Sequence, residues 1–178
     1  MGLSLESMAI EMPAVLGHPN RAGFRGALTI VDVASDRSPS GARGHRVLLT
    51  RRAAEAAIPS LLGMALDYSP ALDRHDARRK IGVITRAEIV GRTIEVGGFL
   101  YARDFPEIVA EIGRPGPRGA AVSARAERAG LGMSYEIADA LVEDIKASVW
   151  VLNRVTFTGA AVLRRDKAAY CSTWIELG

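Results

Sequence analysis

A chain of 178 residues, 48% of them hydrophobic, is long enough to fold as one domain around its own core. Its single cysteine excludes an intramolecular disulfide and a metal site built on several thiolates, and its net charge of +3 makes it only slightly basic. Neither a secretory signal nor a run approaching the roughly 18 apolar residues of a membrane span is visible, so we expect a soluble, intracellular protein without membrane association.

The first part of the chain predicts two strands and a helix. Residues 1–22 alternate weakly in hydrophobicity and contain proline and asparagine near their end, which is typical of a flexible lead or an edge strand. Strands are expected at 23–35 and in "HRVLLT", with a loop rich in serine and glycine between them. Thr50 is a good N-cap for a helix over "RRAAEAAIPSLLGMAL", which Pro59 limits or kinks.

The middle of the chain predicts a β-hairpin followed by a short helix. The β-type runs "KIGVITRAEIV" and "RTIEVGGFLYA" meet at Gly91 and Arg92, where we expect the turn. Asp104 is expected to begin the helix, with Glu107 as its capping-box partner and Gly113 at its end.

The last third predicts three more strands. Residues 113–130 are rich in Gly, Pro and Arg and then in Ala, so we expect a long mobile connection with one helical turn. Strands are expected around Ser134 in "LGMSYEIADA", at 148–163, and in "AAYCSTWIEL". Six or seven strands and two short helices predict a single α+β domain over 23–178, built on a largely antiparallel sheet or barrel.

Two residues are candidates for nucleophilic chemistry, although each alone is more typical of a structural role. Ser134 lies on an alternating strand, and a serine nucleophile needs a base and a group that orients the base. His75 comes just before the first hairpin strand, where the sheet can hold its ring open to solvent. His18 and His45 lie in the leading segment and after a loop, and no histidine follows Ser134.

Asn153 is the sequence's best candidate for the orienting group. It is in register with a row of apolar residues and is therefore expected to face an apolar surface; the row is Val149, Val151, Val155 and Phe157. The alternative is a core asparagine whose amide is satisfied by the backbone. Ser134 is expected on the opposite face of its strand from Met133 and Tyr135, so a bulge or barrel curvature would be needed to bring it to Asn153.

Three segments together resemble the tailed-phage prohead maturation proteases. They are the histidine segment "LDRHDARRKIGVITRAEIVGRTIEVGGFLYARDFPEI", the serine strand "LGMSYEIADA" and the following strand "NRVTFTGAAVL", and they occur in that family's order over roughly 72–173. The resemblance implies a herpesvirus protease-like fold, an α+β, mostly antiparallel β-barrel surrounded by a few short helices. It also implies a serine endopeptidase that needs no metal or organic cofactor.

The same resemblance implies a biological setting and partners. The enzyme would act in the host cytoplasm inside the immature phage head, where it would cleave the major capsid protein or its scaffold segment. Self-cleavage and a homodimer are further expectations, whereas nucleic acid is not an expected partner.

Carried over by position, Ser134 would be the nucleophile, His75 the general base and Asn153 the third member. Arg164 or Arg165 would hold the water beside the oxyanion, although two adjacent arginines are also typical of an exposed turn. An asparagine departs from the acidic residue of related phage enzymes, and it stabilises an imidazolium less than a carboxylate does. The departure leaves open a weaker enzyme, a Ser–His dyad, or a nearby acidic third member; the candidates are Asp139, Glu143 and Asp166.

Two other functions remain open from the sequence. The departure at Asn153 favours a catalytically inactive capsid-assembly component with the same fold. A pI near 9.3 and Arg-rich loops such as "RHDARRK" favour a small basic barrel that binds nucleic acid. An aromatic content of only 6% weighs against that second alternative.

Overall fold

A single curled sheet of nine strands, with two short helices, accounts for the regular structure in the computed structural model, which describes residues 7–114 and 130–178. The predicted connection over 113–130 lies almost entirely outside these residues. The strands are β1 (Ser7–Ala9), β2 (Ala22–Ile30), β3 (Arg46–Leu49), β4 (Ala65–Asp67), β5 (Lys80–Val90), β6 (Thr93–Leu100), β7 (Leu131–Val142), β8 (Val149–Arg164) and β9 (Trp174–Leu177). The helices are α1 (Arg51–Ala57) and α2 (Pro106–Ile112).

The sheet runs in the order β3-β8-β4-β5-β6-β2-β9, with β1 paired to β5 and β7 paired to β8. The long strand β8 is the junction: β7 runs antiparallel to it, whereas β3 and β4 run parallel to it. The sheet curls into a half-barrel, so the predicted α+β class with mostly strands is confirmed at this level. Two strands, β1 and β4, go beyond the seven expected. Each is three residues long, too short to show alternation. β1 lies in the leading segment, for which an edge strand is one of the two expectations.

The predicted hairpin is confirmed. Strands β5 and β6 pair antiparallel down to Val90 opposite Thr93, and the turn between them contains Gly91 at φ +62°. A glycine adopts this left-handed conformation without the steric cost that a side chain brings.

Helix α1 begins as predicted but ends early. The Thr50 side chain accepts a hydrogen bond from the backbone N–H of Ala53 at 3.2 Å, as an N-cap should. The helix ends at Ala57 and continues only as a 3₁₀ turn over Ile58–Leu61, because Pro59 cannot donate a helical hydrogen bond. The last two residues of the expected helical stretch, Ala65 and Leu66, instead belong to β4.

The predicted start of α2 was wrong. The helix begins at Pro106 with Phe105 as its N-cap, because proline's fixed φ suits the first helical position. Asp104 instead accepts a hydrogen bond from Asn20 Nδ2 at 2.9 Å, and Glu107 Oε1 accepts one from the Tyr68 hydroxyl at 2.6 Å. The predicted end at Gly113 is confirmed.

One apolar core holds together the strands that carry the polar residues described below. It includes fully buried side chains from β4, β5, β7 and β8; among them are Leu66, Ile81, Ile84, Met133 and Phe157. The small alanines of α1 pack against β8 and close one side. Within the described ranges, no helix is both long and apolar enough to cross a membrane.

Candidate active site

Ser134 lies near the start of β7, opposite Ala161 of β8, and is half-buried. Its strand is fixed just before the serine, where the Met133 N–H donates to Thr173 Oγ1 at 3.2 Å. Thr173 is fully buried and its hydroxyl donates in turn to the Tyr170 carbonyl at 2.9 Å. A Cβ at Gly132 would lie 2.7 Å from Thr173 Oγ1, so glycine allows this close approach.

The structure brings His75 and Ser134 together. His75 lies in the loop between β4 and β5, and its Nε2 is 3.3 Å from Ser134 Oγ although 59 residues separate the two in sequence. Two hydrogen bonds hold this loop, one to the end of β4 and one to the end of β8. The Asp76 N–H donates to Asp67 Oδ1 at 3.1 Å, and the Arg164 N–H donates to the Leu72 carbonyl at 2.8 Å.

Two carboxylates lie on the other side of the imidazole ring. Asp67 Oδ1 is 3.5 Å and Glu136 Oε1 is 3.4 Å from His75 Nδ1. Both separations are ion-pair distances, slightly longer than an ordinary hydrogen bond. His75 therefore has a hydroxyl at one ring nitrogen and acids at the other.

Asp67 is the better fixed of the two acids. It ends β4, is fully buried, and its Oδ2 accepts from Lys80 Nζ at 3.1 Å. Burial raises the pKa of Asp67, but the nearby His75 ring and the hydrogen bonds from the Asp76 N–H and Lys80 outweigh this effect and hold that pKa below its usual value. Asp67 is therefore ionised at neutral pH.

Glu136 reaches the same point from β7. It follows Ser134 by two residues, and side chains two apart on a strand share a face. The β7–β8 register is irregular immediately after Glu136, which lies opposite Gly159. A Cβ at Gly159 would lie 3.1 Å from Glu136 Oε2, so the glycine leaves room for this carboxylate.

The predicted third member, Asn153, is elsewhere. Its side chain is exposed and its Nδ2 donates to Glu143 Oε2 at 3.3 Å. Asn153 is eight residues along β8 from the partner of Ser134, which is on the order of 26 Å at strand spacing. The expectation that it faces an apolar surface was wrong because the register skips this residue: Leu141 pairs with Arg154 and Val142 with Leu152.

The acidic alternatives named from sequence also have other partners. Glu143 bonds Asn153, Asp166 accepts from Arg164 Nε at 3.2 Å, and Asp139 faces the Thr156 hydroxyl at 3.5 Å. Sequence reasoning missed both Asp67 and Glu136. The period of two along the serine strand was a signal for Glu136, whereas Asp67 ends a strand too short to be recognised.

The predicted oxyanion arginines have their Nε atoms directed to other groups. Arg164 Nε donates to Asp166, and Arg165 Nε donates to the Cys171 carbonyl at 3.2 Å. Their support of an oxyanion stays a prediction. Arg74 and Lys167, which sequence reasoning did not single out, are the cations among the described residues that line the groove beside Ser134.

Ser134 and His75 open into a groove of about 800 Å³. One wall is apolar and comes from β7 and β8; it includes Ile137, Val142, Trp150 and Leu152. Residues 38–41, which have small side chains, also line the groove. The size is that of pockets that take organic ligands or short peptide segments.

Three of the site's residues also suit a metal ion. Asp67, His75 and Glu136 each offer one donor atom, and these atoms all lie within 4.8 Å of one another. A site of one imidazole and two carboxylates suits a divalent cation such as Zn²⁺. The same three groups can therefore orient a histidine base or hold a cation.

Comparisons with known proteins leave this geometry as the main guide to function. No match to the chain is found among models of protein families, among curated proteins or among solved structures.

Proposed function

We propose that this protein is a serine endopeptidase in which Ser134 is the nucleophile, His75 the general base and Asp67 the orienting acid. The observation that carries the proposal is the position of one imidazole, with Nε2 3.3 Å from Ser134 Oγ and Nδ1 3.5 Å from Asp67 Oδ1. Nucleophile, base and orienting acid in this order are the requirements for activating a serine hydroxyl.

The reaction is acyl transfer to the serine and then to water. His75 Nε2 accepts the Ser134 proton as Oγ attacks the peptide carbonyl, and the tetrahedral intermediate collapses as His75 gives that proton to the leaving amine. Water, deprotonated by His75, then releases the acyl group. Asp67 keeps the proton of neutral His75 on Nδ1 and stabilises the imidazolium that forms.

Asp67 fits the orienting role better than Glu136 does. Its side chain has no solvent exposure, whereas that of Glu136 is 42% exposed. A carboxylate shielded from water interacts more strongly with a charged ring. The Asp76 N–H and Lys80 also hold the Asp67 carboxylate in place, so it needs little rearrangement when the imidazolium forms.

The groove supports a peptide substrate. Its lining includes the Ser134–His75 pair, apolar residues of β7 and β8, and residues 38–41. An extended segment of a larger protein can lie in such a groove without unfolding the enzyme.

For the biological setting, we propose prohead maturation in a tailed phage, with a herpesvirus protease-like fold. The resemblance implies that His75 is the base and Ser134 the nucleophile. The support is that these two side chains lie within hydrogen-bond reach of each other. The substrate would be the major capsid protein or its scaffold segment, cleaved inside the immature head. The alternative of an inactive assembly component rested on the asparagine at position 153. The carboxylates of Asp67 and Glu136 lie beside His75 and supply the negative charge that an asparagine lacks.

The test is co-expression with the capsid protein encoded beside this chain, read by intact mass. Wild type is compared with Ser134→Ala and with Ser148→Ala, an exposed serine that does not line the groove. We expect trimming of the capsid protein by wild type and by Ser148→Ala, and none by Ser134→Ala. Equal capsid masses in all three, with particles still assembling, would leave an inactive assembly component as the better account.

A further inference from the structure

His75 Nδ1 has an unusual environment for a histidine base. The atom is buried and has no hydrogen-bond partner in good geometry, although two carboxylate oxygens lie 3.4 and 3.5 Å away. In tetrahedral zinc sites the metal–ligand bonds of about 2.0–2.2 Å place neighbouring ligand atoms about 3.4 Å apart. The two separations around Nδ1 therefore fit ligands around a shared cation.

We propose that Asp67, His75 and Glu136 bind a divalent transition-metal cation, Zn²⁺ in particular, and that this cation inhibits the protease. The ligands would be His75 Nδ1 and one oxygen from each carboxylate, with water in the fourth position. Metal binding does not depend on the proposed function, whereas inhibition rests on it because both use His75.

The groups around the three proposed ligands favour a defined coordination geometry and reversible binding. The Asp76 N–H donates to Asp67 Oδ1 and so orients a ligand, as outer contacts do in metal sites. Gly159 leaves space beside the Glu136 carboxylate, which can adjust to a cation. The Lys80 ammonium, 3.1 Å from Asp67 Oδ2, cancels part of the negative charge and limits the affinity.

Inhibition follows from the tautomer that the cation imposes. A metal on Nδ1 takes the lone pair of that nitrogen, so the ring proton of neutral His75 must move to Nε2. Nε2 faces Ser134 Oγ, and a protonated Nε2 cannot accept the serine's proton. The cation would thus leave the nucleophile in place and remove its base, and a chelator would restore activity.

Binding is measured first without turnover, by titrating ZnCl₂ calorimetrically into the full chain carrying Ser134→Ala. In that background, Glu136→Gln and His75→Gln each remove one ligand. His45→Gln is the matched control, because the His45 ring stacks on Trp150 and is not one of the three proposed ligands. Changing even an outer partner of a metal typically weakens binding 10–100-fold, so we expect a loss of at least about tenfold for each ligand variant. The control should bind as its parent does, and thermal melts check that each variant is folded.

Equal Zn²⁺ affinity in the parent and in both ligand variants would overturn the metal site. A second arm adds Zn²⁺ and then EDTA to the wild-type protein in the capsid-trimming reaction, with inhibition and recovery expected. Ligand-dependent binding without trimming under any condition would reject the proposed protease and the inhibition while keeping the metal site. Trimming that needs Zn²⁺ would overturn both the inhibition and the metal-free serine mechanism.

Discussion

Ser134 gains its proposed reactivity from contacts made by other parts of the chain. Its own strand contributes Glu136, the loop before β5 contributes His75, and the last residue of β4 contributes Asp67. Because both carboxylates lie within 3.5 Å of His75 Nδ1, a single change of charge at fixed shape should alter the site.

The two acids should differ sharply when each is neutralised. Asp67→Asn should lower kcat by about ten-thousand-fold, the size seen when a triad acid becomes an amide, because the imidazolium loses its buried counter-charge. Glu136→Gln should cost less than about tenfold because the Glu136 side chain is 42% exposed. The measurement is kcat on a peptide taken from the trimmed capsid site. The reverse order of effects would assign the third role to Glu136.

The site was predictable in part at the level of residues. His75 and Ser134 followed from their resemblance to family segments, and the structure places them 3.3 Å apart. Asn153 was misplaced because an alternating pattern assumes a regular strand, and this residue is one of those skipped where the β7–β8 register shifts. Asp67 had no local signal, since burial next to a histidine depends on strand pairing that no short stretch of sequence encodes.

The elements that were predicted well are those determined by neighbouring residues. The hairpin turn at Gly91 and the N-cap at Thr50 depend on local backbone geometry, and both are confirmed. The pairing of β3 and β4 parallel to β8 joins segments about one hundred residues apart, so chain order did not reveal it. Helix α1 ends at Ala57, in keeping with the expectation that Pro59 limits it, and only the last two residues of the expected helical stretch, Ala65 and Leu66, belong to strand β4.

The β5–β6 turn should be sensitive to a side chain for conformational reasons alone. Gly91 has φ +62° and no atom within 4 Å of a Cβ built there, so Gly91→Ala adds strain without a clash. We expect the free energy of unfolding to fall by about 1–2 kcal/mol, the cost of a left-handed residue with a Cβ. Gly41→Ala is the control, because Gly41 is equally open but lacks the positive φ. Equal urea midpoints for the two variants would contradict this account.

At the scale of the whole molecule, one core supports the strands that carry Ser134 and Asp67. Phe157 is buried under β7, where its ring meets that of Tyr135 edge-on with centroids 5.5 Å apart. The same core receives Leu66 from β4, the strand that ends in Asp67. Loss of packing at this point should therefore affect stability and the catalytic distances together.

Phe157→Ala should lower the free energy of unfolding by about 3–5 kcal/mol, because it removes a fully buried ring and leaves a cavity. Phe157→Leu keeps most of the volume and should cost less than half of that. Urea unfolding followed by tryptophan fluorescence measures both. Similar midpoints for wild type and Phe157→Ala would show that this part of the core is not tightly packed.

The most direct test of the central claim is covalent labelling of Ser134 by a fluorophosphonate probe, mapped by peptide mass spectrometry. The account predicts one adduct, on Ser134, that disappears in Ser134→Ala and persists in Ser148→Ala. In His75→Gln the adduct should form at least about a hundredfold more slowly, because general-base assistance typically accelerates a reaction by that factor. An adduct on another residue, or labelling of Ser134 at the same rate without His75, would contradict a serine activated by this histidine.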